Sequence, residues 1–404
     1  MRLRPCWVEI SAPAFEENYR VLARSCREAA GVDSLPDSKT NEPVELLAIV
    51  KADAYGHGLG ICAPAAVRAG ARWLGVTSVE EGVAARALCP HAEILVISGP
   101  FAGQGAAVVA HGLTAVVWDA WQLDELERAA EAAGVTALPV HLELDTGMTR
   151  QGVGASELDQ FLTHLAACPR LRVDGLMTHL YAADESDGGE TRGQLERLAG
   201  LVARVLEAGM RPSWLHVGNS AAVTGGEALE ELSVLAGRFG LRAMARPGLA
   251  LYGVVPEFSA GEPEAVAGLR AALKPVLAWK TRVVSVRRVE PGSVIGYNGT
   301  FVATEPMTVA LLAVGYGDGL RRGLSNRGAV LVGGERAPIV GRISMDQTVV
   351  DVTEIAGVAP GDEVVLIGRQ GAGAITVEEH AAWAGTIVWE ILTGIAARVA
   401  RVSI

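Results

Sequence analysis

The stretch "LLAIVKADAYGHG" (46–58) runs five apolar residues into Lys51, followed by Tyr55 and a glycine-histidine-glycine turn. A lysine closing a buried strand has two readings. Its ammonium can reach water along the aliphatic stem, or its amine sits in a dry pocket where burial depresses the pKa and frees it to attack a carbonyl. The second reading gains weight from company. Arg150, His179, Asn219 with Ser220, and Arg246 also stand where other apolar runs stop. Two of those stops, "GNSAA" (218–222) and "RPGLALYG" (246–253), place glycine or a hydroxyl where a strand turns into a helix. Backbone N–H groups at such junctions cradle anions, phosphate above all.

The elements that must position these groups follow from periodicity. Eight strand candidates alternate with helical patterns: "LLAIVK" (46–51), "RWLGVTS" (72–78), "EILVISG" (93–99), "LTAVVWD" (113–119), "VHLELDTG" (140–147), "RVDGLMTH" (172–179), "WLHVGNS" (214–220) and "MARPGLALYG" (244–253). Amphipathic stretches such as "DAWQLDELERAAEAAG" lie between them and end in glycine. This predicts a (β/α)8 TIM-type barrel over 12–254, with chemistry at the C-terminal strand ends and a phosphate site after strands 7 and 8. A lysine after strand 1 facing a phosphate site across the barrel mouth implies pyridoxal 5'-phosphate, joined to Lys51 as a Schiff base. From about 255 the texture changes to alternating strands with turn signals, closed by a helical stretch near 376–394. The expectation is a mostly antiparallel β domain over 255–404, with residues 1–11 packing against it.

Composition narrows the class. The chain has 404 residues, half of them hydrophobic, and a net charge of −11, which argues against nucleic acid as a partner. The five cysteines (Cys6, Cys26, Cys62, Cys89, Cys168) are scattered and form no CxxC pair, as expected of core residues in a reducing compartment. No apolar signal core or membrane-length run is present, so the expected setting is cytoplasmic, with no membrane partner. No HExxH, paired zinc cysteines or Walker loop occurs, and no metal is expected. "GHGLGICA" mimics a dinucleotide fingerprint, with Glu80 downstream. Its first glycine is separated from the strand by Lys51 to Tyr55, and the fingerprint requires direct succession.

"AIVKADAYGHG" resembles the cofactor-lysine signature of bacterial alanine racemases. The resemblance continues in order through "WVEI", "ELDTGMTRQGV", "MTHLYAAD", "HVGNSAA", "RPGLALYG", "IGYNGTF", "VGYGDGLRR" and "GRISMDQ". It implies that Lys51 carries pyridoxal phosphate and is one base, and that Tyr297 of a second subunit is the opposing base in a homodimer with shared active sites. It further implies that Tyr55, Asn219, Ser220, Gly248 and Leu249 hold the cofactor, chiefly its phosphate. Arg246 would face the pyridine nitrogen, with His179 linking Arg246 to Tyr297. Arg150 would meet the cofactor's phenolic oxygen and the substrate carboxylate, which the Met345 backbone N–H would also bind, and Asp184, Tyr316, Arg322 and Arg342 would line the entrance. The implied activity is interconversion of L- and D-alanine, supplying D-alanine for peptidoglycan.

Two positions depart from the family pattern. Glu143 stands where a carbamylated lysine is frequent, and Trp389 where a phosphate-binding tyrosine is usual. The alternation in "VHLELDTG" puts His141, Glu143 and Asp145 on one face, and if Arg150 folds back over that face a carboxylate–guanidinium pair with Glu143 is expected, direct or through one water. The rival readings are a serine or broad-specificity racemase of the same fold and a non-catalytic pyridoxal-phosphate protein. Tyr297 and Met345, in the second domain, argue against the latter.

Overall fold

The computed structural model describes residues 4–29, 43–185, 188–259, 261 and 264–404. Two compact units emerge, one comprising Met1–Ala12, Tyr55–Ile61 and Pro275–Ile404, the other Pro13–Ala54 and Cys62–Lys274. The first strand, β1 (Cys6–Ile10), belongs to the former. The latter is a closed barrel of eight parallel strands: β2 (Glu45–Ile49), β3 (Trp73–Val76), β4 (Glu93–Val96), β5 (Thr114–Val117), β6 (Leu138–Glu143), β7 (Leu171–Met177), β8 (Trp214–His216) and β9 (Arg242–Ala245). The ring closes where Glu45 and Leu46 pair with Met244 and Ala245.

The strands form where short apolar runs can be buried on both faces, as a parallel barrel wrapped in helices requires. β3 and β5 are buried throughout. The intervening helices are amphipathic and start on recognisable caps. Asp119 and Gln122 form a capping box before Ala120–Ala132, and Ser78 accepts from Glu81 N before Val79–Leu88. All eight predicted strands exist, yet each sequence segment runs on past the ladder. The largest overrun is the eighth, where 249–252 is a 3-10 turn rather than strand. The overrun residues are the polar and glycine-rich ends, which leave the sheet to form the mouth.

The other unit is a mostly antiparallel sheet built on the long strand β10 (Leu277–Val289). β10 pairs antiparallel with β1, and β1 pairs parallel with the last strand, as described below. A small ribbon, β11 (Val294–Ile295) with β12 (Phe301–Val302), carries the 3-10 turn Tyr297–Gly299. The sheet continues through β13 (Met307–Leu312), β14 (Ala329–Val332), β15 (Glu335–Pro338), β16 (Thr348–Asp351), β17 (Glu363–Gln370) and β18 (Gly373–Ile375). The final strand β19 (Ala400–Ser403) lies beside β1. The expected single helical stretch near 376–394 is two helices, Val377–Ala384 and Val388–Thr393, divided at Gly385, whose φ of 68° ends the first. Asp318, fully buried, ties this unit together by accepting from Arg4 and Arg398 and from Gly315 N. All five cysteines are buried and free, as their spacing suggested.

Inside the barrel, size matters at Gly175. A Cβ there would lie 2.6 Å from two atoms of the His141 ring, which packs flat against the β7 backbone. Overpacking a filled core costs about 1–3 kcal/mol. Gly175→Ala should therefore lower the urea midpoint by a corresponding amount, and an unchanged midpoint would mean that the His141 ring is free to move aside.

Candidate active site

Lys51 follows β2 directly, and the chain then does something L-residues avoid. Ala52, Asp53, Ala54 and Tyr55 have φ values of 53°, 52°, 55° and 53°, four successive residues in the left-handed region. Each such non-glycine residue costs roughly 1–2 kcal/mol, so packing or hydrogen bonds must hold this turn. The amine of Lys51 is pushed below the ordinary lysine range, first by burial and then by the neighbouring charges of Arg150 and Arg246, with Glu81 pulling the other way. An amine so placed is available as a nucleophile or base nearer neutrality.

Arg246, just beyond β9, is only 5% exposed. Its Nη2 donates to Thr178 O at 2.7 Å and to His179 Nδ1 at 3.3 Å, and its Nη1 to His216 Nδ1 at 3.3 Å. Burial lowers its pKa to about 10, with Glu143 raising and Arg150 lowering it, so it remains a cation at neutral pH. Because arginine only donates, these bonds fix the tautomers behind it. His216, held neutral by burial, accepts on Nδ1 and donates from Nε2 to His141 Nδ1 at 2.8 Å. His141, whose pKa burial lowers to about 4, then carries its proton on Nε2, a buried atom without a hydrogen-bond partner. His179 is likewise neutral, lowered to about 3 by burial and by Arg246, Arg150 and Lys51. Its Nδ1 accepts from Arg246, which leaves the proton on Nε2. Gln194, fully buried on the helix Gly189–Glu207, pins the His179 carbonyl at 3.0 Å and Thr146 Oγ1 at 2.9 Å.

The opposite end of the site is built from N–H groups. Ser220 Oγ accepts from Gly248 N at 3.0 Å and Ala250 N at 3.1 Å, drawing the β9 loop onto the start of the helix Ser220–Gly225. Asn219 caps that helix by accepting from Ala222 N at 3.2 Å. The Ser220 hydroxyl proton has its own oxygen's lone pairs already engaged and is oriented to donate.

The structure thus brings Lys51, His179, Asn219, Ser220, Arg246, Gly248 and Leu249 to the C-terminal ends of the barrel strands, with Arg150 near enough to Lys51 to act on its charge. Arg150 is exposed. Tyr55 is buried, which raises its phenol to about 12. Tyr297, Met345 and Tyr316, in the sheet unit, are 68%, 54% and 43% exposed within one chain. Arg322 and, in the barrel unit, Asp184 are exposed; Arg342 and Trp389 are half-buried. Motif reading missed Glu81, His216 and Gln194. Of these, His216 had a signal, since alternation along "WLHVGNS" turns it the same way as Trp214, into the barrel.

Three comparisons bear on what this site is. The family model described as alanine racemase, N-terminal domain, matches residues 34–256, and that described as alanine racemase, C-terminal domain, matches 276–403. The chain belongs to the alanine racemase family. It is 38% identical to the alanine racemase of Sorangium cellulosum, over 99% of each chain. Among solved structures, the alanine racemase of Streptomyces coelicolor superposes with a TM-score of 0.86 at 33% identity, covering 100% of this chain and 98% of that one. The alanine racemase of Bartonella henselae, solved with covalently bound pyridoxal phosphate, does so at 0.80 and 27% identity, over 99% of each. The predicted fold class, a (β/α)8 barrel followed by a mostly antiparallel β domain, is therefore that of alanine racemases.

Within that family, Glu143 is the departure that the structure re-reads. Among the described residues Glu143 makes no direct pair with Arg150, whose charge still reaches it. Glu143 is 2% exposed and its carboxylate accepts instead from Gln151 Nε2, which also donates to Ile97 O at 3.1 Å. The cause is the loop after β6. Asp145 Oδ1 accepts from Gly147 N and Thr149 N, Thr149 takes a φ of 53°, and Asp145 N returns to Val153 O. This tight coil lays residue 151, not 150, over Glu143. Burial raises the Glu143 pKa, opposed by Gln151, Arg246 and Arg150. The sign for stability follows: a carboxyl whose folded pKa is raised binds its proton more tightly in the native state, so stability falls as pH rises from the ordinary carboxylate range through the raised value. Glu143→Gln removes that slope. The stability of wild type relative to Glu143→Gln should decline as pH rises above the ordinary glutamate value of about 4.3; parallel profiles in thermal melts would show that Glu143 ionises as freely as a surface carboxylate.

Proposed function

We propose that this chain interconverts L- and D-alanine using pyridoxal 5'-phosphate held on Lys51, with the partner subunit's Tyr297 as the opposing base, in a homodimer with shared sites. The observation that carries the reading is a depressed lysine amine at a barrel mouth that also holds a buried arginine and the junction in which Ser220 Oγ gathers the backbone of Gly248 and Ala250. Family membership supplies the reaction.

The residues present fit the cofactor. Ser220 and the backbone around Gly248 and Leu249 would hold the phosphate, Asn219 would order that loop, and Arg246 would face the pyridine nitrogen. When bound, the pyridoxal group withdraws electrons from the α-carbon of alanine, so that its proton becomes removable. Inversion needs a proton taken from one face and another returned to the opposite face, hence two bases. Lys51 serves one face, because burial and two guanidiniums keep its amine neutral more readily than that of a free lysine. Tyr297 is largely exposed in one chain, which suits a phenol delivered into a second copy's site. Neutral His179, with its proton on Nε2, can donate toward that phenol and couple it to Arg246. Arg246 stays protonated and would disfavour protonation of the pyridine nitrogen it faces. Arg150 would bind the substrate carboxylate together with the partner subunit's Met345 backbone. Asp184, Tyr316, Arg322 and Arg342 would line the entrance and limit side-chain size. Among the described residues no helix is long and apolar enough to cross a membrane; a cytoplasmic setting and supply of D-alanine to peptidoglycan complete the reading.

Reduction of purified protein with borohydride should fix pyridoxal phosphate to the Lys51 peptide, and chiral chromatography should show L-alanine converted to the racemate. A label on another lysine, or no turnover of alanine, refutes the reading. Shared sites make a separate demand. Lys51→Ala and Tyr297→Phe should each be nearly inactive, and subunit exchange between them should recover up to about a quarter of wild-type activity at random pairing. No recovery after proven exchange would place both bases in one chain.

A further inference from the structure

Glu81 stands outside every motif that carried the functional reading, yet its carboxylate grips the backbone at the exits of two adjacent strands, the lysine strand β2 and its neighbour β3. Oε1 accepts from Ala52 N at 2.6 Å and Asp53 N at 3.3 Å, the first two residues of the left-handed turn after Lys51. Oε2 accepts from Thr77 N at 2.9 Å, at the exit of the adjacent strand β3. The grip is itself anchored, because Glu81 N donates to Ser78 Oγ in the first turn of the helix Val79–Leu88. One side chain therefore ties the strained turn to a fixed helix and a neighbouring strand.

We propose that Glu81 is a positioning residue: its carboxylate holds the left-handed turn so that the Lys51 amine projects into the barrel mouth in the orientation that bonds the cofactor. The inference rests on the reading of Lys51 as the cofactor lysine. Only an ionised carboxylate suits the place, since three N–H donors approach its two oxygens. An amide there turns its NH2 toward at least one of them, donor against donor. Hydrogen bonds to charged groups are also stronger than neutral ones. The carboxylate also opposes the effect of Arg150 and Arg246 on the same amine.

The test uses Glu81→Gln in the full-length chain and two ligands. Pyridoxal phosphate can condense with Lys51; 4'-deoxypyridoxine phosphate lacks the carbonyl and reports the remainder of the site. Glu81→Gln should bind pyridoxal phosphate about tenfold more weakly and the deoxy analogue as wild type does. In a Lys51→Ala background the difference between Glu and Gln at position 81 should vanish. A second readout needs no cofactor: amide hydrogen exchange at Ala52 and Asp53 should quicken about tenfold or more, with the barrel strands unchanged. Equal loss of both ligands, or no loss of either with unchanged exchange, overturns the proposal. If Glu81→Gln does not fold, Glu81→Asp, with the same charge on a shorter stem, carries the same comparison. A wild-type chain that forms no reducible bond at Lys51 refutes the cofactor reading instead, and the exchange measurement still decides whether Glu81 holds the turn.

Discussion

The site depends on keeping a half-buried lysine amine at the barrel mouth beside two guanidiniums. Burial penalises the ammonium, and Arg150 and Arg246 penalise it further. The result is an amine that gives up its proton more readily than an ordinary lysine. The arrangement also costs stability, because a buried cation such as Arg246 has to be hydrogen-bonded on all sides. Its surroundings answer that need with a carbonyl and two neutral imidazoles. Among the described residues no carboxylate pairs with it directly, and Glu143, the nearest acid influence, is engaged by Gln151.

The neutral histidines are consequences of the same constraint. Arg246 can only donate, so each imidazole it touches must accept on the facing nitrogen. One line of bonds runs inward through His216 to His141 and ends on an unpartnered, buried Nε2. The other reaches His179, whose remaining N–H points the chain's polarity outward to whatever phenol approaches. Gln194 and Thr146 fix the backbone beneath it. A cation with a fixed position and an imidazole with a fixed tautomer are what a two-base reaction requires from a scaffold: they set direction without moving.

Much of this was legible in the chain itself. Eight apolar runs at regular spacing specify the barrel, and polar residues at their ends specify where chemistry would sit, because a parallel barrel buries both strand faces and exposes only the ends. Lys51, Arg246 and Ser220 were visible for that reason. What stayed hidden depends on contacts between segments distant in sequence. The left-handed run 52–55 consists of Ala, Asp, Ala and Tyr, with no glycine to mark it. Glu81 reads as an ordinary first-turn acid of a helix. The loop after β6 was misread because strand alternation predicts faces but not the coil that Asp145 imposes, which substitutes Gln151 for Arg150 above Glu143. Strand ends were drawn too long for a related reason. Composition marks where apolar character fades, whereas the ladder stops where backbone partners are lost.

The central claim is that surroundings, rather than a dedicated base, make the Lys51 amine reactive. Its titration in the cofactor-free chain, followed by the pH dependence of amine acetylation at the Lys51 peptide, tests this directly. The account predicts a midpoint below the ordinary lysine value of about 10.4 that rises when Arg150 is replaced by Met. A midpoint at the ordinary value, unmoved by Arg150→Met, would contradict it.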